Sequence, residues 1–107
     1  MNPLWEIYAE AIKTRDDLTE PQRKIVLDVA SKVTKEIPTC GWNCEGDFAI
    51  TFNLRDVYLD ILIDKRGWSE WFFESDLDVT TGGTKGHKQK AISPAFWERL
   101  AQVQESP

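Results

Sequence analysis

At 107 residues, 41% hydrophobic and 29% charged, the chain has the length of a single domain (1–107) and the make-up of an ordinary globular protein, neither disordered nor fibrous. No uninterrupted apolar run exceeds three residues, Ile25 to Leu27 and Ile61 to Ile63 among them, against the roughly 20 that a membrane span needs. The net charge of -5 is uneven: residues 1–79 carry -7 and residues 80–107 carry +2, so the body repels a phosphate backbone and favours a partner with a basic surface.

The N-terminal stretch has no basic start and carries Glu6 and Glu10 among its apolar residues, which does not read as a secretory signal. The expected compartment is the cytoplasm, with no membrane. Asn2 and Pro3 are suited to cap and open a helix, and Leu4, Ile7, Tyr8, Ala11 and Ile12 then form one apolar stripe. A second helix begins at Thr19-Glu20-Pro21-Gln22, a T-x-x-Q capping box with proline in its first turn. Its stripe runs Val26, Val29, Ala30, Val33 and Ile37, with Lys32 and Lys35 near the C-terminal end and Pro38 as the stop. Residues 39–46, TCGWNCEG, read as a loop by their glycines. Within it Cys40 and Cys44 stand at C-x-x-x-C spacing, which matches neither a redox pair nor a complete zinc set, so both are expected as free thiols with no metal.

From Phe48 onward apolar residues alternate, and three strands follow one another. Phe48, Ile50, Phe52 and Leu54 share one face of the first; Val57, Leu59, Ile61 and Ile63 share one face of the second. Asp64-Lys65-Arg66-Gly67-Trp68 suits a three-residue hairpin loop with Gly67 left-handed, which sets Asp64 against Trp68, Ile63 against Ser69, Ile61 against Trp71 and Leu59 against Phe73. The odd-numbered face is then the core, and the pattern predicts that the third strand continues through Leu77 and Val79 on that face.

The opposite face is unusual. Tyr58, Asp60, Leu62, Asp64, Trp68, Glu70, Phe72 and Glu74 fall together there, aromatics alternating with carboxylates on a surface that an antiparallel sheet can leave wet. An apolar patch rimmed by negative charge has the anatomy of a protein-binding surface. The alternative covering is the last helix, or a second copy of the chain in a homodimer.

Residues 80–91, TTGGTKGHKQKA, are expected to be a flexible basic glycine-rich loop in which Lys85, His87, Lys88 and Lys90 could hold an anion or an acidic partner. They contain no phosphate-binding glycine motif. Ser93-Pro94 is a further cap-plus-proline signal, Ile92 and Trp97 form a hydrophobic staple, and Phe96, Leu100 and Val103 complete a final helix.

No constellation for catalysis is legible. His87, the one histidine, sits between Gly86 and Lys88 without stiff support for a base, Glu74, Asp76 and Asp78 lack the loop of a calcium site, and Asp60 with Asp64 implies no glycosidase pocket. The expectation is an α+β domain in the order ααβββα that is not an enzyme, holds no cofactor, and masks a basic surface of another macromolecule as an inhibitor or immunity-type protein. Carboxylates at strand spacing would also imitate a nucleic-acid backbone, as a phage-encoded blocker of a nucleic-acid enzyme requires. The alternative is a nucleic-acid-binding protein that stacks bases on the sheet aromatics and holds phosphates with the basic loop. No motif is specific enough to name a family.

Overall fold

The computed structural model describes residues 7–10, 18–83 and 87–105. Its elements are α1 (Glu20–Ala30), β1 (Thr39–Trp42), β2 (Phe48–Asn53), β3 (Val57–Ile63), β4 (Ser69–Ser75), β5 (Val79–Gly82) and α2 (Pro94–Glu105). The domain is α+β, as expected, but the sheet has five antiparallel strands in the order β1-β2-β3-β4-β5 instead of the three of an ααβββα chain. Residues 7–10 are helical and Ile7 is buried in the core, in keeping with the first predicted helix; Asn2, Pro3, Leu4, Ala11 and Ile12 lie outside the described residues.

The central register is the one that Gly67 dictates. Its φ is +83°, the Asp64 N–H donates to the Trp68 carbonyl at 2.9 Å, and Ile63 pairs with Ser69, Ile61 with Trp71 and Leu59 with Phe73. A side chain at Gly67 would also meet the Pro21 Cβ at 2.9 Å, because the turn lies against the first turn of α1. The capping box holds that contact in place. The Gln22 N–H donates to the Thr19 hydroxyl and the Gln22 carboxamide accepts from the Thr19 N–H, while Gln22 Nε2 donates to the Ile63 carbonyl at 3.1 Å and the Thr19 hydroxyl to the Lys65 carbonyl at 2.7 Å.

Leu59, Ile61, Ile63, Trp71 and Phe73 are buried with Phe48, Ile50 and Phe52, and Val26, Val29 and Ala30 of α1 and Phe96, Leu100 and Val103 of α2 close over them. Phe96 meets Trp71 edge-on at 5.9 Å. The last helix therefore packs on the odd-numbered face and does not cover the other one.

Four expectations need correction. Residues 39–42 are a strand, not a loop: the Asn43 side chain accepts from the N–H groups of Glu45 and Asp47, both at 2.9 Å, and this tight turn folds β1 back on β2 with Cys40 opposite Ile50 and Trp42 opposite Phe48. The long third strand instead ends at Ser75. Ser75 and Asp78 exchange backbone hydrogen bonds, the Ser75 hydroxyl accepts from the Leu77 N–H, and the chain reverses into β5, leaving Leu77 97% and Val79 59% exposed instead of in the core. α1 stops at Ala30, well before Pro38. The Ser31 hydroxyl donates back to the Asp28 carbonyl, and the buried Gln104 of α2 accepts from the N–H groups of Thr34, Lys35 and Glu36 at 2.9, 2.6 and 2.9 Å and donates to the Glu36 carbonyl. Val33 stays buried, but Ile37 is 44% exposed. Finally, Pro94 opens α2 as expected, while the Ser93 hydroxyl makes no cap and has no hydrogen-bond partner among the described residues.

Candidate functional site

The outer, even-numbered face is ordered in rows by the strand pairings. Asn53, Tyr58, Glu74 and Val79 form one row, and Thr39, Thr51, Asp60, Phe72 and Thr81 the next. Gly41, Ala49, Leu62 and Glu70 form a third. The β1 and β2 side of the face thus carries small residues, and the β3 to β5 side carries the aromatics and carboxylates. Tyr58, Asp60, Leu62, Glu70 and Phe72 are partly exposed and Glu74 is exposed.

Tyr58 and Phe72 meet edge-on, ring centres 6.1 Å apart, an arrangement that aromatic quadrupoles favour. The Tyr58 hydroxyl donates to Asp60 Oδ2 at 2.9 Å. Partial burial pushes the Asp60 carboxyl above its usual value despite the bonds it accepts from Tyr58 and from the Phe72 backbone. Burial, and then the neighbouring Asp60 carboxylate, raise Tyr58 in turn. A cleft of about 290 Å³ opens next to Phe72, lined by Asp60, Leu62, Glu70, Thr81 and Gly83 together with Trp71.

Asp64 and Trp68 share this face but form a corner of their own. Arg66 lies over the Trp68 ring at 4.1 Å and donates to Asp64 Oδ2 from Nε and Nη2 at 3.1 and 2.8 Å, while Asp64 Oδ1 accepts from the Arg66 and Trp68 N–H groups. Partial burial lifts the Asp64 carboxyl, but these hydrogen bonds outweigh it and hold the group below its usual value.

The basic segment is not a free cluster. Lys88 forms an ion pair with Asp47 at 2.6 Å, the two side chains only 10% and 4% exposed, and Asp47 also accepts from the Asn43 amide at 3.3 Å. On either side of this segment, Val79–Gly82 is strand and Gln89 exchanges backbone hydrogen bonds with Ser69, so 80–91 is only partly loop. His87 and Lys90 are exposed; Lys85 lies outside the described residues.

Cys40 and Cys44 are free thiols. Burial, with the Glu10 carboxylate adding to it, pushes Cys40 up to about 12, so it stays protonated and unreactive near neutral pH. Among the described residues no group of side chains could hold a metal ion, and no helix is long and apolar enough to cross a membrane.

Sequence reasoning assigns Leu77 and Val79 to the core, but both are exposed beside this face. Val79 stands beside Glu74 on the outer face and Leu77 at the β4–β5 tip, where Arg99 pairs with Asp78, bonds the Thr80 hydroxyl and covers the Phe73 ring. The Ser75-Asp76-Leu77-Asp78 stretch, dense in residues that bond their own backbone, is the signal that could have placed the reversal.

No protein-family model, curated protein or solved structure matches this chain.

Proposed function

We propose that this chain is a protein-interaction module whose outer sheet face binds a basic surface of another macromolecule, as an inhibitor or immunity-type protein does. The observation that carries the reading is that α1 and α2 pack on one side of the sheet, while the other side presents Tyr58, Phe72 and Leu62 among Asp60, Glu70 and Glu74. Aromatic anchors supply most interface energy, and a charged rim speeds encounter with a partner of opposite sign. A nucleic acid would meet carboxylates on this face, and Lys88 is already held by Asp47. A second copy would set the same carboxylates against themselves, which works against a homodimer.

The test is a Tyr58→Ala/Phe72→Ala variant, compared with wild type by thermal unfolding and by cross-linking to cell proteins. The thermal transition should stay cooperative, while capture of the basic partner falls by at least about tenfold, the effect of losing anchor residues worth more than about 1 kcal/mol each. Undiminished capture would show that the face is not the docking surface, and a global loss of folding would place the two rings in the structural frame instead.

A further inference from the structure

We propose that the cleft beside Phe72 receives an arginine side chain of the partner, its guanidinium stacked on the Phe72 ring and bonded to Glu70 and Asp60. The inference rests on the reading of the outer face as a docking surface and names what that surface grips.

The molecule already holds two of its own arginines in this manner. Arg66 lies over Trp68 at 4.1 Å with its fork on Asp64, and Arg99 lies over Phe73 at 4.3 Å with its guanidinium on Asp78. Each cradle is an aromatic ring flanked by a carboxylate, the geometry that suits a planar, weakly hydrated cation. The cleft repeats the ring and the carboxylates, and among the described residues no cation is paired with Glu70 or Asp60. Phe72 is the ring, Asp60 stands opposite it on β3, and Glu70 is the next outward residue along β4. Glu70 makes no hydrogen bond or ion pair among the described residues, and the Asp60 carboxyl accepts only from the Tyr58 hydroxyl and the Phe72 N–H, leaving lone pairs on both carboxylates. Among the described residues, Arg66 and Lys88 are each committed elsewhere, to Asp64 and Asp47.

Size points the same way. About 290 Å³ falls just below the roughly 300–1,000 Å³ of pockets that enclose a small-molecule ligand, and suits one side chain projecting from a larger body. Gly83 supplies the lip: its φ is +75°, and a side chain there would meet the Ser69 carbonyl at 2.9 Å, so it stays bare and the wall low.

The experiment is a titration of isotope-labelled protein with a capped Gly-Arg-Gly tripeptide and its lysine and citrulline counterparts, followed by amide chemical shifts. The arginine peptide should give saturable shifts centred on Glu70, Phe72, Thr81 and Gly83 with a Kd on the order of 1 mM. Citrulline, which has the shape without the charge, should give none, lysine should bind several-fold more weakly, and Glu70→Gln should weaken arginine about tenfold, a change of about 1.4 kcal/mol. Equal response to lysine and arginine, unsaturable shifts spread over the acidic surface, or indifference to Glu70→Gln would each overturn the proposal. Should Glu70→Gln disturb the fold, Phe72→Leu serves in its place, since it keeps the apolar volume and removes the ring. The titration needs no partner, so its failure leaves the docking face to be judged by the Tyr58 and Phe72 variant alone.

Discussion

Asp60 and Asp64 project from the same outer row of alternate residues, yet their surroundings drive them in opposite directions. Burial raises Asp60, so the fold binds its proton more tightly than the unfolded chain does. Stability from this group is then greatest below the ordinary aspartate value of about 3.9 and declines as pH climbs through the folded value. For Asp64, burial is outweighed by the hydrogen bonds from Arg66 and the Trp68 N–H. Its folded value is depressed, so its contribution is present at neutral pH and is lost as pH falls from about 3.9 through the folded value. Asp60→Asn should therefore gain stability relative to wild type as pH rises from about 3 to 7, and Asp64→Asn should lose it over the same range. Urea unfolding at several pH values reads both. Two difference curves of the same sign would refute the assignment of environments.

β5 exists because of a missing side chain. Gly82 pairs with Trp71, and a Cβ built on Gly82 would fall inside the Trp71 indole, so the edge strand can lie on β4 only while that position is bare. Gly82→Ala must displace a tryptophan packed edge-on against Phe96 or else detach the strand. Overpacking of this kind costs about 1–3 kcal/mol, and at about 4–8 °C per kcal/mol for a domain of this size the loss should be plain in a thermal melt. The double variant with Trp71→Phe should recover part of it, and amide exchange should quicken in Thr80 and Thr81 before it does in β3. An unchanged melting temperature for Gly82→Ala would mean that β5 does not depend on this contact. The same residue explains what sequence could and could not tell. Phe48 to Phe73 was legible because one buried face imposes a period of two and Gly67 fixes the register. β5 was not, because its cue is an absent side chain and because Leu77 and Val79 keep the alternation going through a reversal. β1 was hidden by Gly41 and by an Asn43 side chain whose turn-forming bonds appear only in space. At the candidate site, alternation placed Tyr58, Asp60, Leu62, Glu70 and Phe72 on one face. It did not show that Arg66 covers Trp68, since that contact depends on how the turn folds back.

Across the whole molecule, Lys88 and Asp47 join parts of the chain that the strand ladder keeps apart: the segment after β5 and the turn that enters β2. The pair is nearly excluded from water. Replacing two such charges with apolar groups can be neutral, whereas removing one strands the other, at a cost of about 3–5 kcal/mol. The sheet does not need this bond to form its central register, but the return of the chain to β4 at Gln89 lies beside it, and the Ser69 carbonyl that accepts from Gln89 also bounds Gly83 at the lip of the cleft. Lys88→Met alone should lower the urea midpoint sharply and speed exchange of the Ser69 and Gln89 amides, because Asp47 would keep only the Asn43 amide as a side-chain partner. Adding Asp47→Asn removes the stranded charge while an amide oxygen can still accept from Asn43, so the double variant should recover most of the stability, and the two changes should be far from additive. If the double variant is as unstable as the sum of the singles, the two side chains act independently and the ion pair does not tie the segment after β5 to the turn that enters β2.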